Sequence, residues 1–413
     1  MRNDVIAMSA GVILLTSCSH SPSAVPQSIG NVPIYRYQSE KWHASPPTKY
    51  RIIHVFQDKP DGALPYAGVI RDAAGNLYGT TYSGGTSYGD VGVVFKIDPS
   101  GNETILHNFT GPDGAEPAAP LIEDSGGNLY GTTYSGGSFA YYGTAFKIDA
   151  YLNESVLHSF NCCVQTDGWG PNSGLMMDSS GNLLGTTFGG GSGNDGIAYK
   201  IAPTDNFTVL HDFSWSDGSE PNGLVQGLSG DIYGATTYGG SSECRPGCGV
   251  VFKVDTSGNE SSLHIFSGLR GTGRNPMGTL AGDAAGNLYG TTFHGGGVRD
   301  YGLIYKVAPS GSETVLHRFN GADGAHPKAG LLIDSAGDLF GTASAGGSFG
   351  HGVVFELDAS GNFTVLHNFN GTDGSVPEAT LIQDAAGNLY GTTLEGGNNG
   401  CNRGCGVVFE LSP

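Results

Sequence analysis

Positive charge is scarce in this chain: 19 lysines and arginines stand against 38 aspartates and glutamates, a net charge of −19 over 413 residues. So acidic a surface repels phosphate backbones, which argues against nucleic acid as a partner and suits the solubility of an exported protein. The short signatures of common chemistries are also missing. There is no phosphate-binding loop, no zinc signature and no Gly-x-Ser-x-Gly elbow accompanied by triad partners, so neither cofactor nor metal is expected. Long helices are excluded by 70 glycines, each costing roughly 1 kcal/mol relative to alanine inside a helix. Those glycines lack the every-third spacing of collagen. Between them aromatic and β-branched residues alternate, the pattern of short strands joined by tight turns.

What the chain has in abundance is repetition. Gly75-Asn76-Leu77-Tyr78-Gly79-Thr80-Thr81 recurs in variants whose central glycine is Gly79, Gly131, Gly185, Gly234, Gly290, Gly341 and Gly391, at spacings of 49 to 56 residues. A period near 50 belongs to stacked or radial repeats. Each copy holds four apolar runs; in the second they are Pro120 to Asp124, Leu129 to Thr133, Ala145 to Asp149 and Ser155 to Phe160. Asp-x-x-Gly-Asn turns, such as Asp72 to Asn76 and Asp98 to Asn102, join the first run to the second and the third to the fourth. Gly-Asn supplies the positive φ of a tight hairpin and the aspartate caps it, so these acids read as turn caps and not as calcium ligands. Runs such as Val93-Val94-Phe95 are apolar on both faces, which fits sheets covered on both sides. Four-stranded sheets, each sandwiched between two like itself, close into a β-propeller. The expectation is an all-β, seven-bladed propeller over residues 49–413. The last copy ends after its third strand, while a stray fourth-strand sequence, Ile53-His54-Val55-Phe56, precedes the first. Residues 51–56 are therefore expected to complete the last blade and close the ring.

Residues 1–17 carry Arg2 and an apolar run from Val5 to Leu15, too short for a membrane span, and read as a signal peptide. The run ends Leu15-Thr16-Ser17-Cys18, which resembles a bacterial lipobox and implies lipidation at Cys18. Residues 18–48, rich in Ser and Pro, read as a tether; if flexible, about 30 residues reach roughly 30 Å. The resemblance implies an envelope protein, lipid-anchored in the outer membrane or periplasm or at the cell surface, with the membrane as a partner. A monomer is expected.

Leu-Tyr-Gly-Thr-Thr, Gly-Val-Val-Phe-Lys and Leu-His-x-Phe together resemble the GloVer tandem repeat of bacterial surface proteins and lipoproteins, over residues 51–413. Asp-x-x-Gly-Asn-Leu-Tyr is also similar, less specifically, to streptogramin-lyase-like and sensor-kinase periplasmic propellers. The family likeness implies a propeller and export; it brings no activity with it.

Both Gly-Asn hairpins fall on one face of the disc. The connections between second and third strands and between blades fall on the other, and these vary: Gly85 to Gly92, Gly137 to Gly143, Gly240 to Gly249, Gly397 to Gly406. Variable loops on a rigid frame are where binding resides. Cys244 with Cys248 and Cys401 with Cys405 are expected to form small disulfide loops there, while Cys162 and Cys163 are a vicinal bridge or two thiols. Seven histidines, His54, His107, His158, His211, His264, His317 and His367, recur once per copy and read as structural, bonded to a threonine or backbone. His294, His326 and His351, with Arg299, Asp300, Asp323 and Lys328, form the one candidate polar site, in the loops of blades five and six. A second candidate is aromatic: Trp169 and Trp215 with Phe188 and Tyr238, suited to stacking on sugars or gripping a protein. The reading is a binding module for a glycan, peptide or protein. The alternatives are a lyase or hydrolase on the blade five and six loops, or a purely structural surface protein.

Overall fold

The computed structural model describes residues 49–413 except 87–88, 140, 163–166, 242, 245–246, 270–271 and 398–399. The expected signal peptide, Cys18 and the tether lie outside the described residues, as does Cys163 of the vicinal pair. The rest forms seven blades of antiparallel strands taken in chain order, a β-propeller. Blade 1 is Ile70–Arg71, Leu77–Thr81, Val93–Ile97 and Glu103–Asn108. Blade 7 is Ile382–Gln383, Leu389–Thr393, Val407–Ser412 and, from the far end of the chain, Lys49–Val55. Lys49 pairs with Ser412 and Val55 with Val407, and the Phe56 N–H adds a bond to the Gly406 carbonyl. The closing strand thus begins two residues earlier than the sequence suggests. The ring is closed.

The hairpin turns are capped as their chemistry requires. Asp72 accepts the Asn76 backbone N–H at 2.8 Å on one oxygen, and the Asn76 amide at 2.6 Å and the Tyr78 hydroxyl at 3.0 Å on the other. Asp124, Asp283 and Asp384 repeat all three bonds.

The core lies between blades. Val94, Phe109, Leu121, Leu129, Phe146 and Ile148 form one cluster across blades 1 and 2, and six similar clusters fill the other interfaces. An aromatic residue of each third strand lies over the repeated glycine of its own second strand. A Cβ on Gly79 would sit 2.6 Å from Phe95 Cζ, and one on Gly341 2.6 Å from Phe355 Cζ. The phenylalanine of Leu-His-x-Phe then meets that aromatic edge-on from the preceding blade: Phe56 on Phe95 at 5.1 Å, Phe109 on Phe146 at 5.1 Å, Phe319 on Phe355 at 5.4 Å. Edge-to-face pairs add about 0.5–1.5 kcal/mol each beyond area burial. In blades 3 and 5 this aromatic is Tyr199 or Tyr305, whose buried hydroxyls have no partner among the described residues.

The repeated histidines are structural, but their partners are acids and not threonine or backbone. Each fourth strand carries a β-bulge just ahead of the histidine, as between Val94 and Phe95 opposite His107 and Ile105. Bulges re-aim side chains. His54, His107, His158, His211, His317 and His367 reach Asp61, Asp113, Asp167, Asp217, Asp323 and Asp373 at 2.9–3.3 Å. His264, which lacks such an aspartate, meets Glu313 at 3.5 Å. The next blade covers each histidine in one of two ways. A ring stacks on it at Phe207, Phe363 and Tyr50, 3.8–4.0 Å between centroids. Elsewhere a glutamate approaches, as Glu103 does His54 at 3.8 Å.

These glutamates give the stability a pH dependence. Burial, then the Asp61 charge, pushes Glu103 up from 4.5 to about 8; burial, then Asp217, pushes Glu260 up to about 7. Each holds its proton more tightly folded than unfolded. Its contribution is full below about pH 4.5 and is lost as pH rises through 7 to 8. The melting temperature is therefore expected to fall between pH 6 and pH 9, and Glu103→Gln to flatten that fall. An identical slope in the variant, measured by circular dichroism melts, would refute the assignment.

Candidate functional site

The connections between blades build a second ring, nearer the axis and on the variable face. Each runs from a fourth strand into the innermost strand of the next blade. Six of the seven place a non-glycine residue in the left-handed region just before a proline: Leu64, Glu116, Glu220, Asn275, His326 and Val376, with φ of 56–60°, while the third blade has Gly170. A non-glycine residue there costs energy and persists only where its surroundings hold it. Here two hydrogen bonds do so. The Glu116 N–H donates to the Val91 carbonyl of blade 1 at 2.8 Å, and its own carbonyl accepts from Tyr134 of blade 2 at 3.1 Å. Leu64 and Val376 are held in the same way, Leu64 by the Cys405 carbonyl of blade 7.

The residue three places beyond the repeated glycine in each second strand lies against this segment. It is aromatic in blades 1, 2, 3 and 5, as Tyr82, Tyr134, Phe188 and Phe293, and Thr237, Ser344 or Leu394 in the others, while Tyr238 stands one place further on, opposite Ser219. Tyr66 packs on Tyr82 at 5.1 Å, Tyr134 on Phe188 at 6.4 Å and Trp169 on Phe188 at 5.2 Å. Carboxylates alternate with these rings. Burial and then the Glu116 charge raise Tyr82 to about 12, and burial followed by Glu116 and Glu220 raises Tyr134. Tyr238 is raised by burial and then by Glu220, whose own acid is pushed by burial to about 7. Glu116 thus acts on both Tyr82 and Tyr134, and Glu220 on both Tyr134 and Tyr238. Tyr66 joins blade 1 to blade 7, since Glu378 and Glu395 act on it after burial.

Just beyond the prolines the backbones of neighbouring blades meet closely. A Cβ on Gly68 would lie 2.6 Å from the Thr380 carbonyl oxygen, and one on Gly330 2.5 Å from that of Thr279. Hydroxyls tie this level together: Thr80 donates to the Ala119 carbonyl at 3.3 Å, and Thr392 to that of Ala67 across the closure at 2.9 Å. The first strands of blades 1, 6 and 7 line a cavity at Ile70, Leu332, Ile333, Ile382 and Gln383. The space ringed by the connections on the variable face is the cup.

The residues anticipated from sequence divide around this cup. Trp169 and Phe188 belong to it, with the Trp169 indole donating to Asn194 at 2.9 Å, while Tyr238 stands one place beyond the ring, opposite Ser219. Trp215 is 44% exposed and makes no ring contact with them among the described residues. His294 and His326 lie 5.7 Å apart between ring centroids, and His326 stacks on Phe293 at 4.7 Å. Asp300 takes both the His294 Nδ1 at 2.8 Å and Arg274 at 2.7 Å, and burial lowers His294 below its usual 6.5. His351 stands apart, bonded to Ser375 at 2.9 Å. Arg299 is exposed, Asp323 serves the structural His317, and Lys328 pairs with Glu378. The three-histidine constellation is therefore not assembled. Sequence reasoning passed over Tyr66, Tyr82, Tyr134, Phe293, Glu116, Glu220 and Arg274. Their signal was position within the repeat, directly after Thr-Thr or beside the proline.

Both expected disulfides are present, Cys244–Cys248 and Cys401–Cys405, with Cα atoms 5.4 and 5.1 Å apart. The buried Cys248 and Cys405 offer the carbonyls that dock Asn275 and Leu64. Three rim triads, His54–Asp61–Glu103, His107–Asp113–Glu154 and His211–Asp217–Glu260, bring ligand atoms within 4.8 Å of one another. They are the groups among the described residues that could hold a cation. The matching His–Asp pairs at His158, His317 and His367 stand without the glutamate, so the pair itself serves the fold.

A model of the Gloeobacter/Verrucomicrobia repeat matches residues 27–244, 141–331 and 244–413. Among solved structures, the extracellular domain of a hybrid two-component system protein from B. thetaiotaomicron is similar at a TM-score of 0.54 and 14% identity, over 89% of this chain and 41% of that one. The extracellular domain of a one-component system protein from the same organism gives 0.54 and 9%, over 88% and 40%. The chain spans less than half the length of either, and at these identities the likeness is one of fold. No curated protein matches.

Proposed function

We propose, for a chain that belongs to the Gloeobacter/Verrucomicrobia repeat family, that the protein is an extracytoplasmic interaction module whose ligand enters the cup on the variable face. One observation carries this. Seven copies that share one frame differ at the ring beside the prolines, and there aromatic rings and carboxylates of neighbouring blades gather. Two disulfides support an oxidising compartment, where such small bridges persist.

Residues 49–413 screened on glycan and peptide arrays should retain a ligand, and Tyr134→Ala or Phe188→Ala should weaken capture at least tenfold while leaving the melt intact. Unchanged capture in both variants would move the site away from the cup. We propose further that Cys18 carries the lipid that holds the module at a membrane. Cys18→Ser should shift the protein from the membrane to the soluble fraction, and retention in the membrane would defeat that assignment.

A further inference from the structure

The arc of the cup formed by blades 1 to 4 has two carboxylates that no cation answers. Glu116 accepts the Ser135 hydroxyl at 2.9 Å, and neither it nor Glu220 makes an ion pair among the described residues. The basic groups on the opposite arc are already neutralised: Lys328 by Glu378 at 2.5 Å, Arg274 by Asp300 at 2.7 Å. Tyr82 and Tyr134 stand beside Glu116, the Tyr134 N–H bonding its carbonyl at 3.1 Å, and Phe188 packs on Tyr134 at 6.4 Å. Burial raises Glu220 to about 7, the mark of a carboxylate that has given up water without gaining a partner.

From this we infer that the cup takes an organic cation, an alkylammonium or guanidinium group, held over the rings of Tyr134 and Phe188 and balanced by Glu220 and Glu116. The inference rests on the cup being the binding site and adds the chemistry of its ligand. Aromatic faces attract a large, weakly hydrated cation, and the attraction strengthens where water is excluded. A small hydrated metal ion would need oxygen ligands on every side, and ring faces supply none. A neutral sugar would stack on the same rings but would leave the carboxylates uncompensated. The protein's own charge of −19 draws such a ligand in.

The test titrates residues 49–413 carrying Trp215→Phe, so that Trp169 alone fluoresces, with tetramethylammonium chloride, with N-acetyl-arginine amide and with maltose as the neutral arm, following fluorescence and calorimetric heat. The two cationic arms separate a quaternary headgroup from a peptide side chain. Saturable binding of at least one cation is expected, weakened about tenfold by Glu220→Gln, lost in Tyr134→Leu and reduced by added salt, with maltose inert. Binding of maltose that survives Glu220→Gln would overturn the cation while leaving the cup as a site. If no cation binds, and no array ligand depends on Tyr134 or Phe188, both readings fall.

Discussion

A chain starting at residue 57 is expected to lose the folded monomer. Lys49–Val55 is the fourth strand of blade 7, and without it the row of backbone groups from Val407 to Ser412 becomes a free edge. The apolar loss is as large. Tyr50, Ile52 and Val55 pack on the cluster that holds Phe409 and Leu411, and the fully buried Phe56 seals blade 7 to Phe95 of blade 1. Full burial of a side chain is worth about 1.5–3 kcal/mol, so Phe56 together with three partly buried neighbours carries a large share of the 5–15 kcal/mol by which domains are stable. Free edges recruit other chains, so the product should run as oligomer or aggregate in size-exclusion chromatography. A monomer that melts within a few degrees of residues 49–413 would show that the ring does not depend on its closure.

The second large effect concerns a single methyl group. Gly341→Ala puts a Cβ 2.6 Å from Phe355 Cζ and 2.9 Å from Leu331 Cδ2. Neither neighbour can retreat. Phe355 is fully buried, with Phe319 edge-on at 5.4 Å and Phe363 stacked at 5.3 Å behind it. Overpacking a tight core costs about 1–3 kcal/mol and occasionally more, and the upper end is expected here. The cause can be separated from a backbone effect by adding Phe355→Leu, which removes the opposing ring edge. The double variant should lose clearly less than the sum of the two single changes in urea unfolding. Strict additivity would mean that the glycine is required for some other reason.

That glycine also marks how far the sequence could be read. The repeat announced blades, hairpins and closure, because capping aspartates and Gly-Asn turns act locally and their partners lie within a few residues. It announced that Gly79 and its equivalents recur once per blade, but not that Phe95 of the next strand packs on that glycine. The repeated histidines were legible as satisfied groups. Their acid partners were less so, since Asp61 or Asp113 sits past a turn, although an Asp-Gly pair in most copies was there to be seen. The cup was hardest. Trp169 and Trp215 occupy consecutive connections and look equivalent, yet Trp169 stands one residue before the left-handed position and Trp215 five before it. Distance along the connection sets distance from the axis, and it places one tryptophan at the cup and the other away from it. His351 was grouped with His294 for a similar reason: loops sharing a face need not share a radius.

The direction of two strands has a consequence for display. Lys49–Val55 runs toward the variable face, because Phe56 leads straight into the connection that ends at Leu64. Val407–Ser412 runs antiparallel to it, so Lys49 and Ser412 meet on the side of the Gly-Asn hairpins. Both ends of the ring therefore leave from its back. A surface gripping the chain through residues ahead of Lys49 would hold the disc like a dish on a stem, with the opening turned outward to the medium.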